Sequence, residues 1–293
     1  MGIVAILILA LIQGAAELLP VSSSAHVIVA GRYLGAWTGS PWMEHVSSPE
    51  FTFLLAMLHT GTMGAVIIFF YSRWKTLLDG PTPQRTAFIA NVLIATAITG
   101  AIGLGLKWFI EKVALSGSPN AQIEDIFDNQ KLIAGSLCAA GVLILFSAWY
   151  TAGKNNAMPL SYFGSFITGF VQGLCLPFRG FSRSGATIST GLILGFSRQL
   201  AEEFSFALAV LITPAVIARE LWRLVKAHAS ASSLLPVLAP GLGGMVLSFL
   251  SGWIALKLLS NWIDKGRWSY FGYYCLAFAA VVFALNHFGA AAQ

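Results

Sequence analysis

Residues 176–195 read LPFRGFSRSGATISTGLILG, in which two arginines and several small hydroxyl residues lie between apolar runs. Arg183 stands between Ser182 and Ser184 and is followed by Gly185. A guanidinium can hold a phosphate through two hydrogen bonds, and glycine lets the backbone approach the anion closely. A helix that begins beside Arg183 would add backbone N–H groups that point at the same place. The stretch therefore predicts a phosphate-binding turn at a helix N-terminus.

The composition predicts an integral membrane protein. Of the 293 residues, 57% are hydrophobic and only 10% are charged, whereas about 25% of the residues of soluble domains are charged. The formal net charge of +5 is assigned to loops that contact anionic lipids, and nucleic acid is not expected as a partner. The N-terminal apolar run has no preceding Lys or Arg, so it is expected to be mature structure and not a signal peptide.

Six apolar segments are long enough, or nearly so, to cross a bilayer, which takes about 20 residues. They are residues 51–71, 87–106, 132–150, 204–218, 235–256 and 269–287. Four shorter segments form two pairs: 2–19 with 25–37, and 160–176 with 185–196. Each pair is joined by a turn that contains Pro and Ser. Because irregular backbone at membrane depth is tolerated only inside protein or beside water, the pairs predict two re-entrant helical hairpins.

The two predicted hairpins resemble each other in sequence. A Gln-Gly pair, at 13–14 and again at 172–173, leads in both to a Leu-Pro step and then to a serine-containing turn. The next long segment opens with EFTF at 50–53 and with EFSF at 203–206. Two matches in the same order indicate an internal repeat.

Three spanning segments separate the hairpins, and an odd number inverts the second copy. The prediction is an all-α polytopic membrane protein with six spanning helices and two re-entrant hairpins in an inverted-topology repeat. It forms a single transmembrane domain, 1–293, with repeat halves 1–150 and 151–293, and its hairpin tips meet near the midplane. The distribution of Lys and Arg leaves the orientation in the membrane open.

Residues 13–26 read QGAAELLPVSSSAH and carry the candidate catalytic groups. Gln13 and Glu17 are four residues apart, so a helix projects both from one face. A carboxylate near the bilayer centre costs about 2.5–3.5 kcal/mol by insertion scales, which favours a metal ligand or general base; a structural carboxylate is the alternative. Ser23 is a candidate nucleophile, and His26 is a candidate acid or base.

Hydroxyl and amide side chains in both turns are interpreted as substrate-binding groups. They are Gln13, Ser22, Ser182, Ser184 and Thr187. Arg183 cannot lose its charge and must face an anion, either the phosphate of a substrate or, in a structural ion pair, Glu17. At least one of the three serines at 22–24 is expected to cap the helix that begins near Ala25.

Four further polar residues are less directly tied to the chemistry. His59 is interpreted as a core residue that hydrogen-bonds to a neighbouring helix. Glu50 and Glu203 are interpreted as charges at helix N-termini. Arg179 is left open between a second cation for the substrate and a contact to lipid headgroups.

Both motifs together resemble those of the undecaprenyl-diphosphate phosphatases, the bacitracin-resistance membrane family. The first hairpin is similar to the family's Glu/Gln-x-x-x-Glu motif with the following Pro-Val-Ser-Ser and His. The second is similar to the Pro-Gly-x-Ser-Arg-Ser-Gly-x-Thr motif. The sequence departs from the family at Gln13, where Glu also occurs, and at Arg179, where proline is usual.

The resemblance implies hydrolysis of undecaprenyl diphosphate to the monophosphate that carries cell-wall precursors, at a site that opens outward from the bacterial inner membrane. It implies a divalent cation, Mg²⁺ or Ca²⁺, and favours a homodimer. Glu17 and His26 become the acid–base and metal-associated pair, and Ser23 the nucleophile or a hydroxyl ligand. The implied ligands of the diphosphate are Ser182, Arg183 and Thr187.

Two other classes of membrane protein compete with this interpretation. A transporter that flips a polyprenyl phosphate without hydrolysis shares the expected architecture but needs only the binding residues and not Glu17, Ser23 and His26. Phosphatidic-acid-type phosphatases place a histidine a few residues after Ser-Arg, and here none follows Arg183 until His228. The phosphatase of the first family is therefore the preferred interpretation, with the transporter as the alternative.

Overall fold

The computed structural model describes residues 2–43, 48–114, 123–127, 129–154, 157–226 and 231–289. Within these ranges the chain forms ten α-helices and no β-strand. They are α1 (Gly2–Leu18), α2 (Ser23–Thr38), α3 (Pro49–Asp79), α4 (Thr82–Phe109), α5 (Gln130–Tyr150), α6 (Tyr162–Cys175), α7 (Arg183–Ile193), α8 (Arg198–Lys226), α9 (Ala231–Asp264) and α10 (Ser269–Gly289). Short helical turns lie at Pro41–Met43, Ile110–Ala114 and Ile123–Ile126. The predicted all-α class is confirmed.

Six helical stretches in the described part of the chain are long and apolar enough to cross a membrane. They are Pro49–Asp79, Thr82–Val113, Gln130–Tyr150, Arg198–Arg219, Val237–Asp264 and Ser269–His287. All six contain the predicted segments or overlap them, so the chain is a multi-pass membrane protein. Most extend beyond the apolar cores because polar residues continue the helix; α8, for example, begins where Ser197 Oγ accepts a hydrogen bond from the Leu200 N–H at 3.1 Å.

Two pairs of shorter helices match the predicted hairpins. Residues 19–22 join α1 to α2, and residues 176–182 join α6 to α7. In each pair the two helices pack against each other. Their re-entry within the bilayer and the inverted repeat stay predictions that these helices fit.

The first helix of each hairpin packs closely on a long helix at the glycine after the repeated glutamine. A Cβ at Gly14 of α1 would lie 2.5 Å from the backbone oxygen of Ser248 on α9. A Cβ at Gly173 of α6 would lie 2.7 Å from Cβ of Ile102 on α4. Small residues allow such close approach of membrane helices. Each hairpin therefore packs on a long helix from the other half of the sequence.

The chain folds into two compact units. The first comprises Met1–Leu19, Ser23–Phe69 and Ala209–Leu259, and the second comprises Pro20–Ser22, Phe70–Leu208 and Ser260–Gln293. Apolar side chains of α1, α2 and α3 form much of a core in the first unit, including Ala5, Ile6, Leu9, Val27, Phe51, Leu54 and Leu58. In the second unit α4 packs on α6, and α5 packs on α7 and α10.

Candidate active site

Glu17 lies at the centre of a polar cluster in the first unit. Ser23 Oγ donates a hydrogen bond to Glu17 Oε2 at 2.5 Å, and Gln13 Nε2 donates to the same oxygen at 3.2 Å. His59 Nε2 lies 3.6 Å from this oxygen. Helices α1, α2 and α3 thus bring three polar side chains to one carboxylate oxygen. We call Gln13, Glu17, Ser23 and His59 the Glu17 cluster.

The tight turn between α1 and α2 brings Ser23 back to Glu17. Helix α1 ends at Leu18, and Ser23 already belongs to α2. Within the turn Ser22 has a φ angle of 68° and is 5% exposed. A left-handed backbone costs a residue other than glycine on the order of 1–2 kcal/mol. Such a conformation persists only where the surroundings enforce it, and it is common at functional turns.

The hydroxyl of Ser23 donates directly to the carboxylate of Glu17. The carboxylate is therefore the group in position to take the proton of Ser23. His26 follows one helical turn later on α2 and is partly buried. Its predicted role as acid or base stays a prediction.

His59 joins the cluster from the long helix α3. Its Nδ1 lies 2.7 Å from the carbonyl oxygen of Leu55, which can only accept, so Nδ1 carries a proton. Its Nε2 lies 3.3 Å from Gln13 Nε2. The prediction of a hydrogen bond to a neighbouring helix is confirmed, but the partner is a candidate site residue. The signal in the sequence was one imidazole inside an apolar span.

The cluster is enclosed on one side and accessible on the other. Gln13 is only 1% exposed, whereas the side chains of Glu17 and His59 keep 15% and 26% of their surface exposed. The carboxylate and the imidazole therefore reach the surface of the structure, while the glutamine stays covered.

In the second unit, Ser182 caps the helix that carries Arg183. Its Oγ accepts a hydrogen bond from the Gly185 N–H at 3.2 Å, and α7 begins at Arg183. The predicted helix start at this stretch is confirmed. Ser182 and Ser184 are 2% and 3% exposed. The hydroxyl of Ser182 serves the helix itself, and contacts of both serines with a substrate stay predictions.

Thr187 connects α7 to α8. Its Oγ1 lies 2.9 Å from the carbonyl oxygen of Arg183 and 2.6 Å from Ser205 Oγ. The residue is 1% exposed. Ser205 belongs to the repeated EFSF motif, so that motif holds α7, the helix of the predicted phosphate-binding stretch. A direct contact of Thr187 with the substrate stays a prediction.

Arg179 packs its side chain on an aromatic ring within the second unit. Its guanidinium carbon lies 4.4 Å from the centroid of the Phe127 ring. The next residue, Gly180, has a φ of 98°, and a Cβ there would collide with the carbonyl oxygen of Ile133 at the start of α5. The turn before Arg183 is therefore held against α5 and the segment that precedes it.

The interpretation of Glu203 as an N-terminal helix charge is corrected by the structure. Because α8 begins at Arg198, Glu203 lies inside the helix. Arg73 Nη1 is 3.7 Å from Glu203 Oε1 and 3.8 Å from Glu202 Oε2. The side chains of Glu202 and Glu203 are buried beside this arginine, whose own side chain is 34% exposed. Glu50, by contrast, lies in the first turn of α3 as predicted.

The donor set around Glu17 bears on whether a divalent cation fits. The described residues contain no group of three or more His, Cys, Asp or Glu side chains that could hold a metal ion. Mg²⁺ commonly takes one or two carboxylates from the protein and completes its shell with water and substrate phosphates. Glu17 with the hydroxyl of Ser23 fits this mode, in which the substrate supplies most of the ligands.

Comparison with known proteins identifies the family. Residues 6–281 match the family described as bacitracin resistance protein BacA. The chain is 52% identical to undecaprenyl-diphosphatase 2 of Acinetobacter baylyi, over 97% of this chain and 98% of that protein. It is 31% identical to an undecaprenyl-diphosphatase of Korarchaeum cryptofilum (97% and 100% covered) and 32% identical to one of Acaryochloris marina (94% and 95% covered). The chain belongs to the bacitracin resistance protein BacA family.

Proposed function

We propose that this chain is an integral membrane phosphatase that hydrolyses undecaprenyl diphosphate to undecaprenyl phosphate and inorganic phosphate. The observation that carries the proposal is the 2.5 Å hydrogen bond from Ser23 Oγ to Glu17 Oε2. It pairs a nucleophile with a base on a chain whose relatives bear the name undecaprenyl-diphosphatase. The released monophosphate returns as the lipid carrier for cell-wall synthesis.

Two routes for the first chemical step are compatible with this pair. In one, Ser23 Oγ attacks the terminal phosphorus while its proton passes to Glu17 Oε2. The bond from that phosphorus to the bridging oxygen breaks, undecaprenyl phosphate leaves, and water then hydrolyses the phosphoserine. In the other, Glu17 takes the proton of a water molecule that attacks directly, and Ser23 orients that water.

The second hairpin is proposed to bind the diphosphate. Arg183 offers a permanent cation at the first turn of α7, where the N-terminal end of the helix dipole also favours anions. Ser182 holds that turn in place through its capping hydrogen bond. These groups neutralise the charge that develops on the phosphoryl oxygens in the transition state.

The proposal includes a divalent cation, Mg²⁺ or Ca²⁺, with Glu17 and Ser23 as its protein ligands. When bound, it would neutralise part of the charge of the diphosphate. We expect that a chelator abolishes phosphate release and that added Mg²⁺ or Ca²⁺ restores it. Full phosphate release after chelation and removal of the chelator would contradict the requirement for a divalent cation.

The proposal also covers where the protein acts and in what form. We expect the chain in the bacterial inner membrane, where a polyprenyl diphosphate is presented within the lipid, and we expect a homodimer. Fractionation of membranes and the mass of the protein in detergent test these two points separately.

A transporter that moves the polyprenyl phosphate without cutting it is the second candidate. Transport needs Arg183 and the helix N-terminus of the second hairpin to bind the phosphate, but it does not need a hydroxyl hydrogen-bonded to a carboxylate. The bond between Ser23 and Glu17 therefore favours hydrolysis.

Purified protein in detergent micelles, incubated with undecaprenyl diphosphate, tests the proposal. We expect inorganic phosphate to be released in proportion to the lipid consumed. Movement of the lipid across vesicles without any phosphate release would reject hydrolysis in favour of transport. Ser23→Ala then separates the two routes. On the covalent route the variant loses nearly all turnover and no phosphoserine can be trapped, whereas on the water route it keeps measurable turnover.

A further inference from the structure

We infer that His59 is a positioning residue for this reaction: it holds the Gln13 amide so that its NH₂ group donates to Glu17, and thereby orients the carboxylate that accepts the proton of Ser23. The inference rests on the proposed function, in which Glu17 is the base. It assigns a role to a side chain that belongs to neither hairpin.

The ring of His59 is set by the backbone of its own helix. Nδ1 lies 2.7 Å from the carbonyl oxygen of Leu55, one turn earlier on α3. Because that oxygen only accepts, Nδ1 carries a proton; the Gln13 NH₂ group that faces Nε2 can only donate, so the tautomer that satisfies both contacts has its lone pair at Nε2. The ring nitrogen that faces Gln13 is thus an acceptor by construction.

The Gln13 amide fits between two acceptors. Its Nε2 lies 3.2 Å from Glu17 Oε2 and 3.3 Å from His59 Nε2, and a primary amide has two N–H groups to give. A half-turn of the amide would place its carbonyl oxygen against the carboxylate and against the lone pair of the imidazole. His59 therefore opposes that rotation and keeps the donating end of Gln13 on Glu17.

The helix that carries His59 is a firm support. Ser248 Oγ of α9 donates to the carbonyl oxygen of Leu58 at 2.5 Å. A Cβ at Gly61 would collide with the carbonyl oxygen of Met245 on α9, so α3 and α9 are in close backbone contact on both sides of His59. The packing of α3 on α9 therefore holds the imidazole in place beside the side chains of the shorter helix α1.

This arrangement predicts which kinetic constant responds. Glu17 accepts a proton only during the chemical step. Its orientation therefore affects the stability of the transition state more than the binding of the substrate. Loss of His59 is expected to lower kcat and to leave KM nearly unchanged, because diphosphate binding is assigned to Arg183.

The test compares His59→Phe, which keeps a planar ring but has no acceptor, with His59→Gln, whose carbonyl oxygen can accept from Gln13. In purified protein that releases phosphate from undecaprenyl diphosphate, we expect His59→Phe to lower kcat on the order of 10- to 100-fold, the loss typical of a hydrogen bond in a charged network. His59→Gln should recover most of that loss, and KM should stay within about twofold in both.

A double-mutant cycle with Gln13→Met tests whether the effect runs through the amide. If it does, His59→Phe causes little further loss of kcat once Gln13 is replaced. An undiminished further loss in that background would overturn the amide link, and wild-type kcat in His59→Phe would overturn the positioning role altogether. A change in KM as large as the change in kcat would assign His59 to substrate binding instead, which also contradicts the inference.

Thermal melting of each variant in detergent accompanies the kinetics, and His59→Leu replaces His59→Phe if the latter does not fold. If His59 served stability alone, its variants would melt at a lower temperature and His59→Gln would not restore kcat. Wild-type protein that releases no phosphate rejects the proposed function, whereas active wild type with an unaffected His59→Phe rejects only the inference.

Discussion

Replacement of Glu17 by glutamine is the sharpest test of the site, since it changes one atom and one charge without changing shape. In the folded protein Glu17 Oε2 accepts from Ser23 at 2.5 Å and from Gln13 at 3.2 Å. The amide oxygen of Glu17→Gln can still accept both hydrogen bonds. It cannot take a proton at neutral pH, so the variant removes the base and keeps its geometry.

The expected effects on rate and on stability differ in kind. Loss of a general base lowers turnover about 10²- to 10⁴-fold. Each hydrogen bond to a charged group contributes about 1.5–3 kcal/mol and a neutral one about 0.5–1.5 kcal/mol, so the two bonds weaken by a few kcal/mol in sum. At the membrane depth that the sequence predicts for Glu17, removal of the charge gains about 2.5–3.5 kcal/mol. These two contributions to stability nearly cancel, so the melting temperature should hardly change.

Phosphate release in detergent and melting of the same preparation are the measurements. Glu50→Gln is the matched control, because Glu50 lies in the first turn of α3 and outside the Glu17 cluster. We expect wild-type kcat in the control. A Glu17→Gln variant that keeps kcat within about tenfold of wild type would refute the assignment of Glu17 as the base.

Three further predictions concern the second unit. Arg183→Lys keeps the charge but loses the two-pronged contact, so kcat/KM should fall about 10- to 100-fold; an unchanged value would speak against diphosphate binding there. Ser182→Ala removes the cap of α7, worth about 1 kcal/mol, and should lower the melting temperature, whereas an unchanged melt would show that the cap contributes nothing. Gly169→Ala would bring a Cβ to 2.8 Å from Cα of Ala95 and should destabilise the protein by about 1–3 kcal/mol. Gly100→Ala, with nothing within 4 Å of its Cβ, is the control and should melt as wild type.

Several features of the fold could be read from the chain because they depend on local composition. A run of apolar residues long enough to cross a bilayer predicts a helix wherever it occurs, and all six spans are found. The ends of helices were less predictable, since polar residues can continue a helix. The start of α8 illustrates this, and with it Glu203 changed from a terminal charge to a partner of Arg73.

The candidate site divides in the same way. Gln13 and Glu17 could be paired from their spacing, because four residues are about one helical turn, and Ser23 followed them in the motif. His59 could not be added from the sequence, since a lone histidine in an apolar span has the same appearance whether it faces lipid, a core or a carboxylate. Only the packing of α3 beside α1 distinguishes these cases.

The two hairpins show the same division of information. Residues 160–196, which form the second hairpin, contain no Asp, Glu or His, so the chain itself indicates that only the first hairpin can supply a carboxylate or imidazole base. The hydrogen-bond partners of the paired glutamines depend on packing. Gln172 is fully buried and donates to Thr99 Oγ1 at 3.0 Å, whereas Gln13 donates to Glu17. The sequence determines the chemical groups and the helix-forming runs, but the atoms that these groups contact depend on how distant helices pack. Here that packing makes Gln172 a structural residue and Gln13 part of the Glu17 cluster.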